Sequence, residues 1–473
     1  MLSHMIGEEE FRAGLINYID VHQYSSVTSD DLWAEMQNAL DRSDTPHLEF
    51  PVKGVMDTWI EQPGYPLVTV TRNYTTGDAI VRQQAATFGT DRTRKEWWIP
   101  INYATKSKPD FSITRPMYFL KPGDEHIVIK GIGIDDWVIV NLQQTGYYRV
   151  NYDETNWRRI ADYLNNGDHM KVPVGNRIQL LDTAFILLQS KQISPDIFLK
   201  LSNYLHQETD GVVWNYLISI LRKLEKYTRS PTGGEALKSH ILGLMSAFLK
   251  SINYDEIFSA TYDFAKVTKV DALELACSFG DTRCRAEAAV RLKAYLENPE
   301  ANKIPDVAEF WVFSMGLAQA NQTTWDRLIQ LKIEDREAQT DVLLSYLNYA
   351  ENTDVFMHYL NVTLMENKTT SEFTNIMNLL LGRNRDIAAN IDAKIDFVIR
   401  NFEILKSVTN RPERIFEALI WDSSRQDQLD KLKTFLRGTG INCDSDINNH
   451  ERALQQIESE VTEIMQWLKN VRE

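Results

Sequence analysis

No two of the nine histidines in this 473-residue chain stand close enough to form a metal-binding pair; they fall at 4, 22, 47, 126, 169, 206, 240, 358 and 450. A hydrolytic zinc centre needs two neutral imidazoles on one helix face, usually as H-E-x-x-H, and a third ligand elsewhere. A zinc site built by this chain alone is therefore excluded. There is also no G-x-S-x-G elbow, no G-x-x-x-x-G-K-[ST] loop and no G-x-G-x-x-G behind a strand, and KGIGIDDW at 130–137 reads as a strand bend. Paired carboxylates are too common in so acidic a chain to single anything out. No catalytic residue, metal ligand or cofactor site is assigned.

Other absences narrow the partners. No run of about 20 apolar residues exists, so no segment is expected to span a bilayer. The net charge of −15 repels nucleic acid and anionic membrane unless a basic patch dominates locally. RTRK at 92–95 and RNRD at 383–386 are short, flanked by acids or aromatics, and read as solvated surface. The first ten residues hold three acids and no Lys or Arg, unlike a secretory signal, and no hydrophobic tail of the GPI-anchor kind closes the chain.

Only three cysteines occur. Cys277 and Cys284 stand seven apart in CSFGDTRC, too far to bond along one straight helix, but Gly280 and Asp281 read as a turn that folds the second back on the first. The spacing permits a disulfide without requiring one. Cys443, in GINCDSD, reads as a loop cysteine with no histidine to activate it. Sequons at Asn73, Asn321, Asn361 and Asn367 are candidate N-glycosylation sites, although a chain this long acquires a few by chance.

What is present changes period twice. Residues 1–62 are helical, with Phe11, Leu15, Tyr18, Ile19 and His22 on one stripe, Glu8, Glu9 and Glu10 at the positive helix end, and Ser29 as an N-cap for DDLWAEMQNAL. Residues 63–152 alternate short β-prone runs with turns: PLVTVTRN, AIVRQQAATF, WWIPINYAT, PMYFLK, HIVIKG, DWVIVN and GYYRVN. No helix intervenes, so a small antiparallel β-sandwich is expected and parallel pairing is not. Residues 153–473 return to helical stripes, such as Ile178, Leu181, Phe185 and Leu188, then Leu237, Ile241, Leu244 and Phe248, and finally Leu454, Ile457, Val461, Ile464 and Leu468. Helices of about 12–18 residues joined by short polar loops predict a HEAT-like solenoid of irregular pairs, with a plain bundle as the alternative.

Two stretches carry a family resemblance. GYYRVNYDETNWRRIADYLN at 146–165 and VPVGNRIQLLDTAFILLQSKQI at 172–193 resemble the junction between the β-sandwich and the C-terminal helical domain of the aminopeptidase N family of zinc aminopeptidases, arthropod members included. MIGEEEFRAGLINYIDVHQYSSVTSDDLW resembles the closing helices of that family's thermolysin-like catalytic domain, and WIEQPGYPLVTV its exit into the sandwich. WWIPINYAT, the Cys277/Cys284 pair and the terminal MQWLKNVRE extend the likeness over nearly the whole chain.

The resemblance implies the C-terminal half of a zinc aminopeptidase that removes N-terminal residues from peptides. The HExxH and GAMEN-type motifs lie upstream in such enzymes and no position here matches them, so no catalytic or metal residue carries over. The implied role of this part is to brace the catalytic domain and cover the peptide chamber. Zinc belongs to the full-length enzyme, and the implied setting is extracellular or at the cell surface. Peptides, the absent catalytic domain and a homodimer mate are the implied partners. The alternatives are a non-catalytic peptide- or protein-binding scaffold and an unrelated helical adaptor. Phe11, Leu15, Ile19, Trp33 and Trp59 read as apolar residues awaiting a missing partner, which favours the first reading.

Overall fold

The computed structural model describes residues 1–44, 51–86, 95–259, 263–334, 346–366, 390–409 and 411–472. RNRD at 383–386, the first three residues of RTRK and Asn367 lie outside them. Helices dominate, and small sheets occupy the stretch from Pro66 to Tyr152. The chain packs as two compact units, Met1–Tyr204 and Leu205–Glu473.

Among the described residues the first unit opens with helices α1 (Leu2–Ile6), α2 (Glu8–His22), α3 (Ser29–Asp41) and α4 (Val52–Ile60). Thr28, one residue ahead of the expected Ser29, caps α3: its amide and hydroxyl donate to Asp31 Oδ2 at 2.8 and 2.9 Å. These bonds, that from the backbone foremost, hold the Asp31 carboxyl below the usual range. A side chain at Gly14 would place its Cβ 2.7 Å from Met36 Sδ, so the glycine is what lets α2 lie close on α3.

The expectation that this block's apolar residues await a partner is corrected here. Ile6, Trp33, Met36, Leu40, Val52 and Val55 form a buried cluster, against which Phe11, Leu15, Trp98 and Phe119 pack. Trp59 is half-buried and donates from Nε1 to the Trp98 carbonyl at 3.0 Å. Of the five residues named, Ile19 alone faces solvent, at 63% exposure. The physical reason is long-range: Trp98 and Phe119, from the β-rich stretch, supply the surface that about 60 residues cannot supply for themselves.

The strands are β1 (Pro66–Asn73), β2 (Asp78–Ala85), β3 (Ile99–Ile101), β4 (Tyr103–Thr105), β5 (Tyr118–Leu120), β6 (Ile127–Ile129), β7 (Val138–Val140) and β8 (Arg149–Tyr152). They make one four-stranded sheet, in the order β6-β2-β1-β8, and the two-stranded pairs β3-β5 and β4-β7. β1 and β2 pair antiparallel from Pro66↔Ala85 to Asn73↔Asp78. β8, in contrast, pairs parallel with β1, Leu67↔Arg149 through Val70↔Tyr152. An all-antiparallel arrangement is therefore incorrect: the chain between β1 and β8 serves as the long crossover that a parallel pair needs, with no α-helix among its described residues. Helices α5 (Glu154–Asn166), α6 (Val174–Gln189) and α7 (Pro195–Ser202) complete the unit. α6 is buried nearly all round, Asn176, Arg177, Gln179 and Thr183 included, so its burial is broader than one stripe.

The second unit is helical throughout its described residues. It includes α8 (Gly211–Leu224), α9 (Gly234–Ser251), α11 (Phe264–Ser278), α12 (Thr282–Glu297), α13 (Asp306–Leu317) and α14 (Gln322–Glu334), with α10 (Tyr254–Ile257) a single turn. Later helices are Ile391–Arg400, Glu413–Asp422, Gln426–Leu436 and the long Asp444–Arg472. The stripe Leu237, Ile241, Leu244 and Phe248 is buried. On the last helix Val461 and Leu468 are buried, while Leu454, Ile457 and Ile464 are only half covered.

Cys277 and Cys284 are joined by a disulfide between the end of α11 and the start of α12, their Cα atoms 5.6 Å apart. Gly280 adopts a positive φ and Asp281 caps α12, which turns the second cysteine back on the first. The buried Trp311 points its Nε1 at both sulfurs, 3.4 and 3.3 Å away.

Candidate functional site

The turn between β7 and β8 is the most unusual backbone in the first unit. Asn141, Gln143 and Gln144 all have left-handed φ, +66°, +54° and +57°, and none is glycine. Such residues cost about 1–3 kcal/mol each and persist only where their surroundings over-determine them. Here they do. Asn141 accepts from the Gly146 amide at 2.8 Å and donates to the carbonyls of Gly146 and Tyr148 at 2.9 and 3.1 Å. Asn102 Oδ1 receives the Leu142 amide at 2.7 Å, and Asn176 Oδ1 receives that of Gln143 at 2.7 Å. Gln143 Nε2 reaches the Phe111 carbonyl at 2.9 Å. A Cβ at Gly146 would strike the Tyr148 ring at 2.2 Å, so only glycine fits there.

The turn leads straight into a second polar joint. Asp153 caps α5 and accepts hydrogen bonds from the Arg72 amide at 3.0 Å and the Tyr74 hydroxyl at 2.7 Å. Buried Asn156 pairs with both backbone groups of Val138, each at 2.9 Å, and so stands in for a missing strand neighbour of β7. The Tyr152 hydroxyl receives the Val140 amide at 3.0 Å, and burial pushes that phenol's pKa far above its ordinary value. Arg149 is ion-paired to Asp182 of α6 and donates from Nε to the Tyr65 hydroxyl at 3.1 Å. Tyr65, Tyr147, Arg149, Gln179 and Asp182 line a cavity of about 390 Å³ beside the turn.

Chemically this is a positioning device. Arg149 is neutralised by Asp182, and the side-chain amides of Asn141, Gln143 and Asn156 are bonded to backbone. The side chains do not fit zinc: among the described residues no group of three His, Cys, Asp or Glu side chains comes close enough to hold a metal ion. No step through a metal is derived from this chain.

A family model described as the ERAP1-like C-terminal domain matches residues 137–462, starting at β7 and the strained turn. A second, described as the Peptidase family M1 domain, matches residues 1–59, the four opening helices. The chain belongs to the M1 aminopeptidase family. It is 28% identical to an aminopeptidase N of Plutella xylostella over 85% of this chain and 42% of that protein. It is 25% identical to the thyrotropin-releasing hormone-degrading ectoenzyme of Rattus norvegicus over 99% of this chain and 45% of the relative. With aminopeptidase Ey of Gallus gallus the identity is 26%, over 100% and 48%. The chain thus spans less than half the length of these M1 relatives.

The remaining candidate residues are dispersed. Asn73 is exposed at the end of β1, where its Oδ1 receives the amides of Thr75 and Thr76. Asn321 is exposed just ahead of α14, and Asn361 is exposed within the helix Thr353–Glu366. Cys443 is buried; burial, followed by the charges of Asp446, Glu417, Glu413 and Asp444, pushes its thiol up to about 11. The joint residues Asn102, Asn141, Asn156, Asn176, Asp153 and Asp182 were not singled out from the sequence. One signal was available in NLQQTG: asparagine, glutamines and a glycine clustered between two β-prone runs, where asparagine is the side chain most tolerant of left-handed backbone.

Proposed function

We propose that this chain is the bracing and covering part of a zinc aminopeptidase that removes N-terminal residues from peptides, and that it is not itself catalytic. The observation that carries the reading is the coincidence of two family matches with a rigid joint: the ERAP1-like match begins at β7, where the strained turn and Asp153 lock the strands to α5. In this reading residues 1–62 are closing helices of the catalytic domain, 63–152 a small β-sandwich, and 153–473 a HEAT-like solenoid over the peptide chamber. Zinc and the peptide-binding motifs belong to the full-length enzyme. The protein works outside the cell or at its surface, a setting supported by the word ectoenzyme in the name of one relative, and its partners are peptides, the catalytic domain and a second copy of itself.

Complementation tests this. The chain, mixed with the metallopeptidase domain of an M1 relative made without its C-terminal part, should raise cleavage of an aminoacyl-coumarin substrate, while the chain alone should bind no stoichiometric zinc and cleave nothing. One zinc per chain with chelator-sensitive turnover would overturn the assignment.

A second reading, a non-catalytic binding scaffold, draws support from the closed core of the opening helices. Against it stand Ile16, Ile19 and Val21 of α2, exposed at 42%, 63% and 65%. Absence of complementation together with a monomeric, unaggregated chain would favour the scaffold.

A further inference from the structure

In the second unit a cleft of about 850 Å³ opens between the 3-10 turn Glu225–Arg229, the helix Glu413–Asp422 and the helix Asp444–Arg472. Two helix-spaced pairs meet in its lining. Glu417 and Trp421 stand four apart on one helix, Asp446 and His450 four apart on the other, so each pair shares a face. The rings of Trp421 and His450 join the pairs edge to face, with centroids 5.3 Å apart.

His450 is only 6% exposed. Its Nε2 lies 2.8 Å from the Ser423 carbonyl, and a carbonyl can only accept, so Nε2 carries the proton and Nδ1 of the neutral ring is a bare acceptor. That Nδ1 is buried and meets no donor. A buried polar atom left unpaired calls for an explanation, and an unfilled ligand position is one.

The lining carries both signs, five Lys and Arg against six Asp and Glu. Arg222 is paired with Asp271 and Glu274, and the Lys226 ammonium lies over the Tyr227 ring at 4.5 Å. Glu458 takes the Thr232 hydroxyl and Glu460 the Gln456 amide. Among the described residues, Glu417 and Asp446, on the same two helices as Trp421 and His450, have no ion pair or hydrogen bond from a side chain; Arg414 and Lys226, both exposed, are likewise without a salt bridge. The floor beneath is the half-covered stripe of Leu454 and Ile457. Trp421, 55% exposed, offers a ring face of the kind that attracts cations.

We infer that this cleft binds an organic ammonium on a small apolar body, its N–H donated to His450 Nδ1, its charge set among Trp421, Glu417 and Asp446, and its apolar part laid on Leu454 and Ile457. This is independent of the aminopeptidase reading. Three ligands of one shape test it on the full chain by calorimetry: phenethylammonium, 3-phenylpropionate and 2-phenylethanol. The amine should bind at least tenfold more tightly than either of the others. The Glu417→Gln, Asp446→Asn double variant, changed only at partly exposed positions, should lose at least tenfold in amine affinity while melting as the parent does. Nitrogen NMR of the imidazoles should show the Nδ1 resonance of His450 moving on titration with the amine. Equal or tighter binding of the carboxylate, amine affinity unchanged in the double variant, an unmoved Nδ1 resonance, or no binding of any ligand would overturn the proposal.

Discussion

The two units of the molecule are held by different means. Strands of three residues, such as β3, β4 and β7, are too short for their ladders to hold them, and in the first unit buried asparagines do the missing pairing: Asn102, Asn141, Asn156 and Asn176 each bond to backbone. In the second unit apolar helix faces close on their neighbours, and ion pairs such as Arg425–Asp392 and Lys431–Asp396 lie at the surface. A lost hydrogen bond in the first unit strands a buried donor or acceptor, whereas a lost ion pair in the second returns two charges to water. Equal-looking contacts should therefore differ several-fold in worth.

The largest effect is expected at Asn141. Asn141→Ala removes three buried bonds and leaves a Cβ residue in left-handed backbone, for about 3–4 kcal/mol. Asn141→Gly, which tolerates the backbone, should lose about 1 kcal/mol less. Denaturant titration of both variants checks the difference, and equal losses would mean that the turn is not strained.

Lys394 sharpens the contrast as a cation buried in the second unit. Burial lowers its ammonium to about 8 from an ordinary 10.5, with Asp422 pulling upward, and its Nζ donates to Asn348 Oδ1 at 2.9 Å. The unfolded chain then holds the proton more tightly than the folded one between pH 8 and 10.5. Stability from this group rises with pH through that window, and the cost is present in full below pH 8, at about 3 kcal/mol. Lys394→Met should be the more stable protein at pH 7, with the gain fading as pH approaches 10.5. A gain independent of pH would show that the amine is not desolvated.

Next comes the cystine. The loop closed by residues 277–284 is short, and a chain-entropy estimate gives about 2.5 kcal/mol for closing it. The Cys277→Ala, Cys284→Ala variant should melt earlier by that amount, and unreduced peptide mapping should recover the two cysteines as one linked fragment. Free thiols in protein made under oxidising conditions would count against it.

The smallest effect belongs to Arg425. Its guanidinium touches Asp392 and Asp427, but all three are well exposed, so Arg425→Ala should cost less than about 1 kcal/mol and nothing measurable in high salt. A larger loss would erase the distinction between the units.

What the sequence made legible follows the same division. Period 3.6 exposed the buried face of α9, and β-prone runs located the strands. The single run WWIPINYAT nevertheless became β3 and β4, and the parallel partner of β1 could not be read from alternation, which fixes the face of a strand but not its neighbour. The asparagine joint was invisible because short polar side chains carry no periodicity. The closed core of the opening helices was missed because Trp98 and Phe119 come from well beyond them. The cleft brings 222–230 together with 414–460, a juxtaposition that no local pattern announces.

The parallel pairing of β1 with β8 also sets a timetable. β1 ends at Asn73, but its second neighbour is not complete until Tyr152. At the usual pace of synthesis, about 5–20 residues per second, the intervening chain takes roughly 4–16 s to leave the ribosome. Throughout that interval the inner strand of the future sheet shows one bare edge to the cell, open to any passing strand. A factor that shields nascent chains for those seconds should raise the yield of this protein more than that of one whose strands pair in the order in which they are made.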